Sequence, residues 1–484
     1  MRTILLLAAI CGMIACGKKS SDPPKPDPPA PPVNPPPPVT PGISDVVFWL
    51  TKADQSALLQ KQSVSLVFAS PTGTLPTITV DTTQLYQSID GFGYTLTGGS
   101  ATLINRLPTS DRAAILKELF ATDSTGIGVS YLRLSIGASD LSSSVFSYDD
   151  NGTPAQPDTN LLSFSLAADA TDLVPLLKQI VAISPSIKLL GSPWSAPLWM
   201  KDNNGSVGGS LQPKYYEVYA QYLVKYIKAM KAEGITIDAI TPQNEPANPA
   251  NNPSMSVTSA QEADFVKNHL GPAFQTAALT TKIIIWDHNC DNAGYPLAIL
   301  SDPDALKYVD GSAFHLYGGN ISAMGQVHDA FATKNVYFTE QYVAGPSNFG
   351  GDLNWHIKNL IVGASRNWSK NVLEWNLASD PNYQPHTPGG CGNCLGALTV
   401  GSSITRNVSY YIVAHASKFV KPGSVRVDTN VPASLPNVAF RTADGKKVLI
   451  VLNDSNVSQT FNIQFKGKVV TATMDGGAVG TFVW

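Results

Sequence analysis

Hydrophobic and polar positions follow different periods in different parts of the chain. Residues 44–88 hold short β-type runs at Val46–Leu50, Ser63–Phe68 and Thr77–Val80, broken by Pro71-Thr72-Gly73 and Leu75-Pro76. Similar runs return at 424–428, 437–441, 447–452, 461–465 and 469–473, with Asp444-Gly445 and Gly476-Gly477 as turn signals. The N-terminal runs are too few to close a core by themselves. Both ends of the chain are therefore predicted to share one antiparallel sandwich.

Between them, short apolar runs alternate with longer segments of helical period. Eight strands are predicted: Gly91–Tyr94, Val129–Ile136, Ile187–Leu190, Ile237–Ile240, Lys282–Trp286, Ser312–Leu316, Val336–Phe338 and Val372–Trp375. Helices are predicted over Asp111–Phe120 (Ser110 as its cap), Ala170–Ile183, Pro213–Glu233, Ser259–Leu270 and Asn354–Arg366. In the third of these, Leu223, Ile227 and Met230 fall on one face. The fold class is α/β: a (β/α)8 barrel with an attached sandwich, whose active site belongs at the C-terminal strand ends. The barrel is assigned to 89–415, long for the bare fold, so its loops are large. The sandwich takes 43–88 and 416–484.

Composition narrows the partners. Only 14% of the 484 residues are charged, the formal net charge is −3, and no basic patch is apparent, which argues against nucleic acid. Ser, Thr, Asn and Gln supply the polarity, beside 8 Trp, 17 Tyr and 17 Phe, a mixture suited to a neutral ligand rich in hydroxyls. Residues 1–16 read as a lipoprotein-type signal, with Arg2, the apolar stretch Ile4–Ile14 and Cys16 after Met13-Ile14-Ala15. A lipid anchor at Cys16 and export to the bacterial cell envelope, at the outer membrane, are the expectation. The Pro-rich residues 17–42 form a tether. Cys391 and Cys394 sit in a Gly-rich loop, close enough in sequence for a tight disulfide. The C-x-x-C stands alone and the His residues are scattered, so no metal is expected. No organic cofactor and no protein partner are predicted either.

The chemistry concentrates at strand exits. Ile237–Ile240 runs into Thr241-Pro242-Gln243-Asn244-Glu245-Pro246, and Asn335–Phe338 runs into Thr339-Glu340. Two carboxylates at two strand ends of one barrel are the minimum apparatus for cleaving a glycosidic bond. Glu245 is assigned as acid/base and Glu340 as nucleophile, about 5–5.5 Å apart for retention, with pKa values pushed apart. Arg133 is expected to keep the nucleophile ionised, with His315 and Tyr317 positioning it. Asn244 is the candidate for the sugar 2-hydroxyl. Trp194 and Trp375 offer aromatic faces to a sugar's C–H side, and Asp287 offers an acceptor for its hydroxyls.

Several motifs together are specific. Asp90-Gly91-Phe92-Gly93, the segment 133–140 (RLSIGASD), 191–200 (GSPWSAPLWM), 241–246 (TPQNEP), 314–317 (FHLY), 338–340 (FTE) and 374–377 (EWNL) resemble glycoside hydrolase family 30 over about residues 44–484. That family includes glucosylceramidases, endo-β-1,6-glucanases and enzymes cleaving xylan and galactan. The resemblance implies a barrel fused to a sandwich built from both chain ends, and a retaining mechanism. It places the acid/base on Glu245, the nucleophile on Glu340, the preceding amide on Asn244 and glycone contacts on Trp194 and Trp375. One departure stands out: Gly98 occupies a first-strand position where glucosylceramidase-like members carry an Asp. Asp140 or Asp287 would have to supply that acceptor, or the pocket differs. The favoured activity is endo-cleavage of β-1,6-glucan, with exo-acting β-glucosidase or glucosylceramidase-like hydrolysis next. A non-catalytic carbohydrate-binding lipoprotein comes last.

Overall fold

The computed structural model describes residues 44–123 and 125–484. The signal, Cys16 and the tether at 1–42 lie outside the described residues. Eight parallel strands close a barrel: β1 (Gly91–Leu96), β2 (Tyr131–Ser135), β3 (Lys188–Ser192), β4 (Ala239–Ile240), β5 (Lys282–Cys290), β6 (Val309–Gly319), β7 (Asn335–Glu340) and β8 (Ser369–Asn376). Neighbours follow chain order, and β8 closes on β1 through Asn371↔Gly91. All eight sit where the apolar runs predict, with boundaries shifted by a few residues.

The barrel floor is one apolar layer. Tyr131, Leu190, Ala239, Ile284, Ala313, Tyr337 and Leu373 cluster there, one from each strand β2 to β8. On β1 the equivalent position is Gly93, where an added Cβ would lie 1.8 Å from the Tyr131 carbonyl oxygen. Side chains on a strand repeat every second residue. Two residues beyond this floor come Thr95, Arg133, Ser192, Thr241, His315, Thr339 and Trp375, and that second layer is mostly polar.

Strand β5 breaks the count. Its pairing with β6 shifts between Trp286 and His288, and Trp286 (φ 74°) and Asp287 (φ 53°) both take left-handed backbone. Such a bulge inserts one residue and re-aims the next. Asp287 enters the polar layer in place of Trp286.

The two chain ends share one nine-stranded sheet. Val47–Thr51 pairs antiparallel with Val479–Val483, and Phe48 stacks on Phe482 with ring centroids 4.4 Å apart. Thr77–Ser88 pairs with Val425–Thr429 and, in parallel, with Gln459–Phe465. The run Lys447–Leu452 shows how this sheet binds the barrel. Leu449 and Val451 enter the sandwich core, while Val448, Ile450 and Leu452 join the large cluster that includes the barrel helices. Both faces are buried, so the run reads as continuously apolar.

Several boundaries depart from the sequence reading. Ser63–Phe68 forms no strand; pairing occurs only beside it, at Gln60–Lys61 against Trp49 and Leu50 and at Ala69, which bridges to Val469. The helix assigned to begin after Ser110 starts at Thr109 with Pro108 at its N-cap, so Ser110 lies inside the first turn. Proline pre-sets the backbone there without needing a capping hydroxyl. The last barrel helix, Val408–Ser417, runs past the 415 boundary.

Candidate active site

Arg133, at the end of β2, organises the polar layer. It is fully buried, and its guanidinium reaches Glu340 Oε2 at 2.6 Å, Asn244 Oδ1 at 2.6 Å and Asp287 Oδ2 at 2.7 Å. It also lies 4.7 Å from the centre of the Trp194 ring. The fixed fork of an arginine suits several acceptors at once, which lysine could not match.

Asp287 accepts from every side. Its Oδ1 takes Thr339 Oγ1 at 2.7 Å and faces His315 Nε2 at 3.1 Å, while Oδ2 takes the hydroxyls of Ser192 (2.7 Å) and Thr241 (2.8 Å) besides Arg133. Burial alone would raise this carboxyl, but Arg133 and His315 more than offset it and hold it well below the usual range. Asp287 is fully buried and takes no part in the cavity wall. The expectation that it binds a sugar hydroxyl is corrected: the bulge turns it inward, where it orients Arg133 and His315.

His315 links three carboxylates. Its Nδ1 lies 3.2 Å from Glu245 Oε1 and 3.9 Å from Glu340 Oε1. Both ring nitrogens thus face acids, the arrangement of an imidazolium with two donors. Burial opposes that charge, but Glu340, Asp287 and Glu245 together carry the ring to about 9.

Those contacts also bound the acid pair. Distances of 3.2 and 3.9 Å laid end to end from one nitrogen cap the Glu245–Glu340 oxygen separation at about 7 Å, which accommodates the about 5–5.5 Å of a retaining pair. Glu340 receives Arg133 on one oxygen and the Tyr317 hydroxyl on the other at 2.9 Å. Burial raises Glu340 above its ordinary value, against the pull of His315 and Arg133. Glu245 sits in left-handed backbone (φ 45°), and its Oε2 accepts from Asn248 at 2.7 Å and Asn251 at 3.3 Å. Burial pushes Glu245 up, yet hydrogen bonding and charge from His315 bring it below the usual value. These directions run opposite to a simple acid-and-nucleophile split. A raised His315 and a lowered Glu245 favour the proton on the ring, one hydrogen bond from Glu245, so the pair shares one proton across 3.2 Å.

A cavity of about 820 Å³ opens over both glutamates. Of the sequence-predicted residues, Glu245, Glu340, Asp140, Trp194, Tyr317 and Trp375 line it. Arg133, His315 and Asn244 stand behind that wall, and the Asn244 amide oxygen is taken by Arg133. Trp194 and Trp375 lie with ring centroids 5.3 Å apart. Asp140 accepts from the Cys391 N–H at 3.3 Å; burial, then the charge of Glu340, pushes its carboxyl up to about 7. Cys391 and Cys394 are joined by a disulfide on the same wall. Gly98 is absent from the lining, whereas Asp140, the other acceptor considered from the sequence, is part of it.

Sequence reasoning passed over Asn248, Asn251, Asn289, Asp291, Asn292 and Tyr342, which line the cavity together with His288. The Asn-rich run after Glu245, at 248–252, was the available signal for two of them.

A model of the glycosyl hydrolase family 30 TIM-barrel domain matches residues 89–420, and one of the family 30 beta sandwich domain matches 423–482. The chain belongs to glycosyl hydrolase family 30. An endo-1,6-beta-D-glucanase of Neurospora crassa is 36% identical over 389 residues, covering 76% of this chain and 79% of that protein. The lysosomal acid glucosylceramidase of Mus musculus is 27% identical, covering 87% and 86%. A solved endo-beta1,6-glucanase superposes on this family 30 chain with a TM-score of 0.84 and 34% identity, over 91% of this chain and 99% of that one.

Proposed function

We propose that the chain is a retaining endo-β-1,6-glucanase. The observation that carries the chemistry is the pair Glu245 and Glu340 over one cavity, with Arg133 and Tyr317 on Glu340 and a proton-bearing His315 on Glu245. Glu340 attacks the anomeric carbon while Glu245, fed from His315, protonates the departing oxygen. Glu245, now a base, takes a proton from water, which displaces Glu340 from the sugar. Two inversions give net retention. Asp140, raised to about 7, can in its protonated form both donate to and accept from sugar hydroxyls. Trp194 and Trp375 face the ring's apolar side.

The substrate assignment rests on the endo-1,6-glucanase relatives and on room. The cavity falls near the top of the about 300–1,000 Å³ common for ligand pockets, more than one sugar ring requires. A time-resolved product profile tests it, on linear β-1,6-glucan beside an aryl β-glucoside and glucosylceramide. A spread of oligosaccharides from the polymer is expected. Glucose alone, or activity confined to the two small substrates, would overturn endo action.

We also propose export as a lipoprotein anchored through Cys16. Labelled fatty acid should enter the wild-type chain expressed in a bacterium and be absent from Cys16→Ser; equal labelling of both would refute the anchor.

A further inference from the structure

His288 is the one cavity-lining histidine, and the mechanism makes no use of it. It leaves β5 just beyond the bulge, is more than nine-tenths buried, and its Nδ1 has no hydrogen-bond partner. That nitrogen points toward Glu245 Oε1 at 3.7 Å, too long for a hydrogen bond. The same oxygen also faces His315 Nδ1, at 3.2 Å. One donor atom from each of Glu245, His288 and His315 lies within 4.8 Å of the other two.

These distances match a coordination polyhedron. Zinc binds imidazole nitrogen and carboxylate oxygen at about 2.0–2.2 Å, so the edges of a tetrahedral site measure about 3.3–3.5 Å. The two edges seen here, 3.2 and 3.7 Å, bracket that range. The supporting contacts agree as well. His315 presents its other nitrogen to Asp287 Oδ1 at 3.1 Å, the carboxylate–histidine pairing that fixes a metal-binding ring. Glu245 Oε2 is held by Asn248 and Asn251, leaving Oε1 as a single ligand atom. Sequence spacing shows no such site because the ligands come from three different strand ends.

We propose that Glu245, His288 and His315 bind a borderline divalent cation of the zinc class, and that its binding reversibly switches hydrolysis off. The ion takes the oxygen through which Glu245 would deliver its proton, and the proton shared by Glu245 and His315 leaves to solvent. The fourth coordination position opens toward the cavity. The site is of the open type, two histidines and one carboxylate with a place for water. Inhibition, unlike binding, rests on the acid/base role given above to Glu245.

Co2+ is the probe, added to untagged full-length protein stripped of metal, because four-coordinate Co2+ absorbs strongly in the visible. Saturation at one equivalent is expected, with Zn2+ displacing the band and chelator restoring both the free protein and its activity. His288→Gln should weaken Co2+ binding at least about tenfold, since even outer-shell changes at metal sites cost about 10–100-fold. His288→Asn serves if the first variant melts early. No saturable band in the wild type, or equal Co2+ affinity in a folded His288 variant, would overturn the site. A His288-dependent band with hydrolysis untouched by Zn2+ would overturn the switch. Absorption needs no substrate, so an error in the glucanase reading would leave the binding result intact.

Discussion

His315 Nδ1 lies 3.2 Å from Glu245 Oε1, deep in the polar layer of the barrel. That contact joins the acid/base to a ring already braced against Asp287, and through it to Arg133 and Glu340. The two glutamates are therefore not independent carboxyls. They are ends of one buried charge network, and the predictions follow from it.

The His315 ring is raised from 6.5 to about 9 by its three acids, once burial has been overcome. A raised value means stabilisation fully present below about pH 6.5 and lost as pH rises through about 9. The melting temperature of wild type should exceed that of His315→Gln most in mildly acidic buffer, and the gap should close in strong alkali. A gap that widened with pH would contradict the imidazolium.

Arg133 meets two buried acids, so its removal strands both. Arg133→Gln should cost about 3–5 kcal/mol in denaturant unfolding, the usual result of leaving a buried charge unpaired. A loss under about 1 kcal/mol would show that the network does not hold the site.

Glu245→Gln removes the proton donor but leaves the nucleophile. Hydrolysis of glucan should fall about 10²–10⁴-fold, while an aryl glucoside with a good leaving group still forms the covalent intermediate. Glu340→Gln should lose both reactions. Equal loss in the two variants on the aryl substrate would reverse or void the assignment.

Asp140 titrates near 7 because of burial and the charge of Glu340. If its neutral form binds the sugar, kcat/KM should decline as pH rises through about 7, and Asp140→Asn should flatten that limb. An unchanged alkaline limb in Asp140→Asn would assign it to another group.

Much of this was legible in sequence, for identifiable reasons. Strand and helix periods differ, so the eight strands and the alternation of strands with helices could be read from the spacing of apolar residues. Glu245 and Glu340 showed themselves as charged residues ending apolar runs, where packing has no use for them. The placement of Asp287 was not legible. A single-residue bulge at Trp286 exchanged its neighbour's direction, and no local pattern announces that. Ser63–Phe68 failed for the opposite reason: it has the alternation of a strand without a partner ladder. His288 was visible as a polar residue at a strand exit, but its nearness to Glu245 depends on the ends of the neighbouring strands β4, β5 and β6 coming together, which no local pattern shows.

The most direct test of the central claim is the anomeric proton spectrum recorded as linear β-1,6-glucan is first cleaved. A two-glutamate double displacement predicts that β-anomeric reducing ends appear first, on oligosaccharides of mixed length, and only later mutarotate. The α-anomer appearing first would contradict Glu340 as a nucleophile and require a water held between the two carboxylates instead.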